Sequence, residues 1–248
     1  MQPVMIVTGA SQGIGAAIAR LAGRRGWRVA LTYRGNQAMA EAVVADIAAA
    51  GGQALAIQAA MEDEAAIVAL FRTVDRAFGR LDALVNNAGT TGPTAKIDAV
   101  TSAILDEVLG VNVRGPFLCI REATSRMASD RGGRGGSIVN ISSRAAEFGG
   151  AGEWIHYAAS KGAMETLTLG AARELGPRGI RVNAVSPGLI ETDLHARAGL
   201  PERLTRLVAG VPMGRVGSPE EVAEAVLWLA SDAASYVSAA ILPVSGAR

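Results

Sequence analysis

The chain opens with a short apolar run, a glycine-rich turn and an alanine-rich segment, an order of parts that few folds accommodate. Residues 4–7 are apolar and partly β-branched, which predicts a buried parallel strand. In the turn at residues 8–15, Gly9 lets the chain bend sharply, Gly13 lets backbone approach a pyrophosphate, and Gly15 permits close helix–strand packing. The helix that follows presents unpaired N–H groups and the positive end of its dipole. The pattern therefore predicts a loop that binds the phosphates of a dinucleotide.

Strand and helix patterns alternate along the rest of the chain without a linker or an internal repeat. The apolar runs predict further strands at 29–32, 55–59, 81–85, 137–141, 180–185 and 239–244. Helical patterns run from the glycine turn to about residue 26 and cover 37–50, 62–78, 101–129, 155–175 and 219–231. This alternation predicts an α/β protein with a doubly wound, seven-stranded parallel sheet and helices on both faces. We expect a single Rossmann domain over residues 1–248, with an irregular substrate loop at about 188–217.

Charge and composition exclude several classes of protein. The formal net charge is +1, too small for a nucleic-acid binder that relies on bulk positive charge. The one cysteine, Cys119, excludes an internal disulfide and a cysteine-based zinc cluster, and no metal site is predicted. No apolar run approaches the roughly 20 residues of a membrane span, and the N-terminus lacks the marks of a signal peptide. These observations predict a cytoplasmic location.

Tyr157 and Lys161 are the candidate acid/base pair. Their spacing of four places both side chains on one face of a predicted helix. An ammonium beside a phenol favours the phenolate, so we expect the pKa of Tyr157 to fall from about 10 toward neutrality. Ser143 can hydrogen-bond a substrate oxygen held near that phenol. Among 24 basic residues only Lys96 and Lys161 are lysines, so a lysine at 161 indicates that this position requires a compact ammonium. The alternative interpretation is a chance Tyr–Lys pair on a solvated helix face.

The end of the second predicted strand bears on the choice of cofactor. NAD-binding proteins usually place an acidic residue there for the ribose hydroxyls, whereas this chain has Tyr33 and Arg34. Arg34 can pair with a 2′-phosphate, so NADP(H) is favoured and NAD(H) is the second option. An ordinary surface arginine is the alternative interpretation.

A series of motifs then identifies a family. In chain order they are Thr8-Gly-x3-Gly-x-Gly15, Asn86-Asn-Ala-Gly89, Asn112, Ser143, Tyr157-x3-Lys161, Pro187-Gly188 and Thr192. Together they cover essentially the whole chain, and the chain resembles the compact short-chain dehydrogenases/reductases. The resemblance implies hydride transfer between a nicotinamide and a carbonyl or secondary alcohol.

The family resemblance also implies individual roles. Tyr157 would exchange the proton with the substrate oxygen, and Ser143 would steady that oxygen. Lys161 would lower the pKa of Tyr157 and hold the nicotinamide ribose. Asn112, in a helix expected to kink there, would hold a water that passes protons toward Lys161.

The cofactor-binding residues follow from the glycine turn and from the same resemblance. The Ile190 backbone and Thr192 would hold the carboxamide, while Asn87 and Ala88 would line the adenosine ribose. The predicted cofactor residues are Gly9, Ser11, Gln12, Gly13, Ile14, Gly15, Arg34, Asn87, Ala88, Tyr157, Lys161, Ile190 and Thr192.

Three positions depart from the family pattern. Ala60 stands where an aspartate usually contacts the adenine amino group, so adenine should be held less firmly. Gln12 stands where strongly NADP-selective members often carry Arg or Lys. Ser238-Ala239 stands where the family often has Thr-Gly.

The sequence leaves several classes of substrate open. The resemblance is to 3-oxoacyl-carrier-protein reductases and to glucose-type sugar dehydrogenases, with small ketones also in range. An acyl carrier protein is a candidate partner: the reductases of this kind dock it through basic residues near the cleft, and Arg134 and Arg178 fall at comparable places, with ordinary surface arginines as the alternative. The family usually forms homotetramers. A non-catalytic dinucleotide sensor is the alternative of a different class, and the Ser143, Tyr157 and Lys161 set argues against it.

Overall fold

One parallel sheet organises the protein, which we describe from a computed structural model covering residues 2–248, with the side chains of residues 195 and 197 excepted. Its strands are β1 (Val4–Val7), β2 (Arg28–Tyr33), β3 (Gln53–Gln58), β4 (Ala83–Asn86), β5 (Gly136–Ile141), β6 (Ile180–Pro187) and β7 (Ile241–Val244). The order is β3-β2-β1-β4-β5-β6-β7, and all neighbours are parallel. The predicted seven-stranded, doubly wound sheet is confirmed.

Helices connect the strands on both faces. They are α1 (Gly13–Arg24), α2 (Gln37–Ala49), α3 (Glu64–Phe78), α4 (Ser102–Leu109), α5 (Gly115–Met127), α6 (Ala145–Phe148), α7 (Ile155–Leu175), α8 (Leu194–Arg197), α9 (Arg203–Leu207) and α10 (Pro219–Ala230). The stretch predicted as irregular, 188–217, thus holds two short helices, α8 and α9. None of the helices among residues 2–248 combines the length and hydropathy that crossing a membrane requires.

Apolar side chains fill the space on each side of the sheet. Met5 and Val7 of β1 pack in a core with α1, α2 and α10, while Val4 and Ile6 pack in a second core with α3, α5 and α7. Strands covered on both faces need apolar residues at consecutive positions, because successive side chains point to opposite faces. This is why the strands read as unbroken apolar runs in the sequence.

Local chemistry accounts for two boundaries that differ from the predicted ones. The Asp63 carboxylate accepts a hydrogen bond from the Ala65 N–H at 2.8 Å, so α3 begins at Glu64 rather than at 62. Ala239 has a φ of +65°, a left-handed conformation that a strand does not contain. For this reason β7 begins at Ile241 rather than at 239.

The long helix predicted at 101–129 is divided in two by a wide turn. Residues Gly110–Arg114 form a π-helical turn between α4 and α5, with the Gly115 N–H bonded to the Gly110 carbonyl. Pro116 has no N–H to donate to the carbonyl of Asn112, four residues earlier, which disfavours a regular α-helix at this point. The predicted kink at Asn112 is therefore present.

The strand order also locates the cleft. The chain winds outward from β1 to β2 and β3 on one side, and from β4 to β7 on the other. The helices that leave β1 and β4 therefore diverge and leave a crevice at the carboxyl ends of the strands.

Candidate active site

A cavity of about 1220 Å³ opens at the carboxyl ends of the strands. The predicted site residues that line it are Gly9, Ser11, Gln12, Gly13, Ile14, Gly15, Arg34, Asn87, Ala88, Ser143, Tyr157, Lys161, Ile190 and Thr192. Asn112 is the exception, because it lies behind the wall. The fold thus brings the glycine turn and the candidate acid/base pair to one cavity.

The glycine turn leaves room and hydrogen-bond donors for a pyrophosphate. Gly9 and Gly13 have φ values of +62° and +55°, which side chains rarely adopt. A Cβ on Gly15 would lie 2.4 Å from the amide nitrogen of Asn87, so only glycine fits there. Helix α1 begins at Gly13 with no acidic residue in its first turn and no hydrogen bond from an N-cap side chain. Its first N–H groups therefore suit an anionic phosphate.

Asn87 holds this turn in place. Its side-chain amide donates to the carbonyls of Thr8 and Gly9, both at 2.9 Å. The backbone N–H groups of Asn87 and Ala88 donate to the Thr8 hydroxyl, both at 3.0 Å. Besides its place on the cavity wall, Asn87 thus fastens the glycine turn to the end of β4.

Tyr157 and Lys161 lie one turn apart on α7, beside the end of β5. The Lys161 ammonium donates to the Ile141 carbonyl at 2.7 Å and lies 5.6 Å from the centroid of the Tyr157 ring. Lys161 is 3% exposed and Tyr157 is 9% exposed. The predicted pairing on one helix face is therefore present, and the carbonyl at the strand end fixes the ammonium.

Burial shifts the pKa of both groups away from the charged form. It lowers the pKa of Lys161 from 10.5 to about 8. It raises the pKa of Tyr157 above 10.0, against smaller lowering effects from the Ser143 hydroxyl and the Arg203 charge. The prediction that the pKa of Tyr157 falls toward neutrality is thus corrected: the desolvation caused by burial outweighs the lowering effects of the Ser143 hydroxyl and the Arg203 charge.

The two serines after β5 have different surroundings. The Ser142 hydroxyl donates to the Glu165 carboxylate at 2.7 Å, and its side chain is occupied there. The Ser143 hydroxyl accepts from the Ala145 N–H at 3.1 Å and is close enough to Tyr157 to lower its pKa. This geometry favours Ser143 as the residue that faces a substrate oxygen.

Asn112 does not stand on the cavity wall. Its side-chain oxygen accepts from the Thr90 N–H at 2.9 Å, and its amide donates to the Thr90 carbonyl at 2.8 Å and to the Ser160 hydroxyl at 2.9 Å. The side chain is thus engaged by protein groups and joins the loop after β4 to α7. A Cβ on Gly89 would lie 3.3 Å from the Asn112 side-chain oxygen and 3.5 Å from the Lys161 ammonium. Both groups therefore border the same small space at Gly89.

A buried hydrogen-bond chain was missed by reasoning from sequence. The Asn86 amide donates to the Asn140 side-chain oxygen at 2.9 Å, and the Asn140 amide donates to the Thr168 hydroxyl at 2.9 Å. The chain joins β4 and β5 to α7, the helix that carries the acid/base pair. The signal available was one asparagine directly after the apolar run 81–85 and another inside the run 137–141, which the parallel register places side by side.

The cavity is also lined by arginines that no local motif reveals. Arg203 lies with its guanidinium 4.6 Å from the ring centroid of Trp154, whose ring lies 6.3 Å from that of Tyr157 in an edge-on arrangement. Its Nε donates to the Glu153 carboxylate at 2.8 Å. Arg248 also lines the cavity, with its guanidinium 5.5 Å from the Phe148 ring.

At the far end of the cavity, Arg34 lies beyond β2 as predicted. Its guanidinium pairs with the Glu62 carboxylate at 2.9 Å. Glu62 lines the cavity, whereas Ala60, the position at which the family usually has an aspartate, does not. The acidic group at this end therefore comes from Glu62, which reasoning from sequence missed.

The segment after β6 closes over the glycine turn. A Cβ on Gly13 would lie 3.5 Å from the Thr192 methyl group. A parallel bridge joins Ile190 to Gly217, so the two ends of the 188–217 stretch are held together. Ile190 and Thr192 are thereby held on the cavity wall.

The two arginines considered for docking a carrier protein lie away from the cavity. Arg134 precedes β5 and Arg178 precedes β6, at the amino ends of these strands. Arg178 pairs there with Asp130 at 2.9 Å. Because the cavity is at the carboxyl ends, the placement of these residues near the cleft was wrong.

Comparison with protein families gives a match along nearly the whole chain. A family model described as enoyl-(acyl carrier protein) reductase matches residues 9–246. The oxidoreductase YgfF of Escherichia coli K12 is 46% identical over 245 residues, 99% of each chain. The 3-oxoacyl-[acyl-carrier-protein] reductase FabG of Staphylococcus aureus Mu50 is 39% identical, over 97% of this chain and 96% of that protein. The L-rhamnose 1-dehydrogenase (NAD(P)(+)) of Azotobacter vinelandii is 40% identical, over 98% and 94%.

Solved structures agree with the fold. A short-chain dehydrogenase/reductase from Serratia marcescens superposes with a TM-score of 0.91 at 39% identity, covering 99% of this chain and 97% of the other. A blue fluorescent protein from a metagenomic library, in complex with NADPH, superposes with a TM-score of 0.90 at 37% identity and the same coverage.

Proposed function

The chain belongs to the short-chain dehydrogenase/reductase family and is an NAD(P)-dependent oxidoreductase, and from this premise we propose that it interconverts a carbonyl and a secondary alcohol, with NADP(H) as the favoured cofactor. The observation that carries the proposal is that Ser143, Tyr157 and Lys161 line the same cavity as the glycine turn. A non-catalytic sensor would have no need of this arrangement.

A nicotinamide cofactor, when bound, would supply or accept the hydride. In reduction the Tyr157 hydroxyl gives its proton to the substrate oxygen, and in oxidation it takes the proton back. Ser143 donates a hydrogen bond to the same oxygen, where negative charge develops. Lys161 donates a hydrogen bond to the Ile141 carbonyl, and this holds its positive charge 5.6 Å from the centroid of the tyrosine ring. Because burial raises the pKa of Tyr157, the phenol keeps its proton at neutral pH, which suits reduction.

The cofactor-binding residues keep the roles expected of them. The N–H groups at the start of α1 would hold the pyrophosphate, and Asn87 and Ala88 would line the adenosine ribose. The Ile190 backbone and Thr192 would hold the carboxamide. Their common place on the cavity wall supports this assignment.

Arg34 supports the preference for NADP(H). It lines the adenosine end of the cavity, and the residues that follow β2 there include no acid. Its pairing with Glu62 limits the preference, because a 2′-phosphate has to compete with this carboxylate for the guanidinium. The relatives support the use of both cofactors: one carries NAD(P)(+) in its name and another is in complex with NADPH.

For the substrate, we propose a 3-oxoacyl thioester, with the Staphylococcus aureus FabG as the supporting relative. An acyl carrier protein would then be the natural partner, by a surface other than the one that holds Arg134 and Arg178. A sugar of the rhamnose or glucose type is the second candidate, supported by the Azotobacter vinelandii relative.

The test is a panel of acyl thioesters, aldoses and simple ketones or alcohols, assayed with NADPH or NADH and with the oxidised cofactors. We expect turnover by the wild type and a loss of at least about a hundredfold in kcat for Tyr157→Phe, with that variant still folded and still able to bind NADPH. Tyr236→Phe is the matched control, because Tyr236 is fully exposed. Equal activity of wild type and Tyr157→Phe would refute the assignment.

We also propose a homotetramer. Half-exposed apolar side chains lie on three neighbouring helices: Leu105 and Leu109 on α4, Phe117 on α5 and Leu169 on α7. Trp228 on α10 is 42% exposed near the edge strand β7, where a second interface is expected. Light scattering at micromolar concentration tests this, and a monomer would contradict it.

A further inference from the structure

The substrate end of the cavity carries more positive charge than the reaction requires. Arg203 and Arg248 line it together with Tyr157 and Ser143. The side chain of Arg203 is only 17% exposed, and Arg248 is half-buried. The Arg203 charge reaches the phenol of Tyr157, since it contributes to lowering the pKa of that group. Arg203 is therefore close to the reacting hydroxyl, and Arg248 lies on the wall of the same cavity.

The carboxylates nearby do not balance these charges. Glu153 is shared, because it pairs with Arg203 at 2.8 Å and also with Arg206. Among the residues that the structure describes, no carboxylate pairs with Arg248. Its guanidinium instead lies over the Phe148 ring. Among the described residues, the single Glu153 carboxylate is therefore shared by Arg203 and Arg206, and no ion pair forms with Arg248.

The two cavity arginines also act on each other. Burial lowers the pKa of Arg248, and the charge of Arg203 lowers it further, against the opposing effect of Glu153. Placing two like charges together in a partly desolvated wall costs free energy unless an anion joins them. The backbone of Arg248 is held in place, because the Nε of Arg144 donates to its backbone oxygen at 2.8 Å.

We propose that Arg203 and Arg248 bind an anionic group of the substrate, a carboxylate or a phosphate, while its carbonyl faces Tyr157 and Ser143. The inference rests on the proposed function for the carbonyl chemistry and adds the substrate's charge. Guanidinium forks bind both kinds of anion through paired N–H donors. Among small carbonyl compounds of otherwise similar shape, the one with a carboxylate or phosphate should therefore be preferred to its neutral analogue.

The experiment uses two matched pairs of ligands, each differing in its anionic group. Acetoacetate is compared with methyl acetoacetate, and dihydroxyacetone phosphate with dihydroxyacetone. Binding is measured by calorimetry on the full chain with NADP⁺ present, and turnover is measured separately with NADPH. We expect the wild type to bind the anionic member about ten- to a hundredfold more tightly in at least one pair. The pair that shows the preference identifies the anion.

Variants then locate the preference. Arg248→Gln should lower the anionic-to-neutral affinity ratio about tenfold or more, and Arg248→Lys should restore part of it. Arg206→Gln is the matched control, because it removes a charge from the same Glu153 pair but does not line the cavity. The control should keep the wild-type ratio.

The outcomes separate this inference from the proposed function. Equal binding of both members in both pairs overturns the inference, and so does a ratio that falls as much in Arg206→Gln as in Arg248→Gln. Anion preference that depends on Arg248, without turnover of any carbonyl compound, supports the inference and contradicts the proposed function. Turnover of the neutral compounds without anion preference supports the proposed function and contradicts the inference.

Discussion

Lys161 carries a positive charge that the folded protein shields almost completely from water, and replacing it by Met should stabilise the protein relative to the wild type at neutral pH. The ammonium is 3% exposed, and its one hydrogen-bond acceptor in the structure is the neutral carbonyl of Ile141. No carboxylate pairs with it among the described residues, so desolvation lowers its pKa to about 8. The activity of Lys161→Met should be lost while its stability rises.

The size of the stability change follows from the lowered pKa of Lys161. A lysine with a pKa of 10.5 when unfolded and about 8 when folded costs about 3 kcal/mol of stability at pH values below 8, where both states are charged. The sign follows from proton counts, because between these two pKa values the unfolded state binds more protons than the folded state. The stability of the wild type therefore rises relative to that of Lys161→Met across this window, by about 2 kcal/mol between about pH 7 and about pH 9.5.

The assay is urea unfolding of both proteins at the two pH values and at one protein concentration. Comparing two pH values removes the contributions of lost packing and of the lost bond to Ile141, which do not depend on pH. Lys96→Met is the matched control, since Lys96 is the one other lysine and is exposed. The difference in unfolding free energy between Lys96→Met and the wild type should be the same at both pH values. If the Lys161→Met difference is equally flat, the desolvation argument is wrong.

Three further substitutions test other parts of the structure. Glu62→Gln removes the carboxylate that competes with a 2′-phosphate for the Arg34 guanidinium, so the kcat/KM preference for NADPH over NADH should rise about three- to fivefold. The control Glu41→Gln on α2, outside the cavity, should leave this preference unchanged. Ala239→Gly should raise the free energy of unfolding by about 0.5–1 kcal/mol, because Ala239 has a positive φ that glycine adopts without strain. The same change at the adjacent Ala240 should lower the free energy of unfolding; thermal unfolding measures both variants, and a loss of stability at both positions would contradict the reasoning. Gly15→Ala adds a Cβ 2.4 Å from an amide that holds the glycine turn, so NADPH affinity measured by fluorescence titration should fall at least about tenfold, and unaltered affinity would show that the turn can relax.

The adenosine end of the cavity contains one residue that the sequence predicted and one that only the fold reveals. Arg34 was predicted from its place after a strand, a local feature that can be read along the chain. Its partner Glu62 comes from the loop after β3, and their approach depends on how β2 and β3 pair. The competition between a carboxylate and a 2′-phosphate could not be inferred before that pairing was known.

Periodicity and turn glycines predicted the sheet and its helices, and the motifs, through the family that they resemble, predicted most of the residues that line the cleft. These features can be read along the chain because they are local. Which groups lose their water, and which charges come together, depends instead on how distant elements pack. Arg203 and Arg248 come to the same cavity as Tyr157 from distant parts of the chain. Burial reversed the pKa shift expected for that tyrosine, because desolvation depends on everything packed around a group and not on its neighbours in sequence.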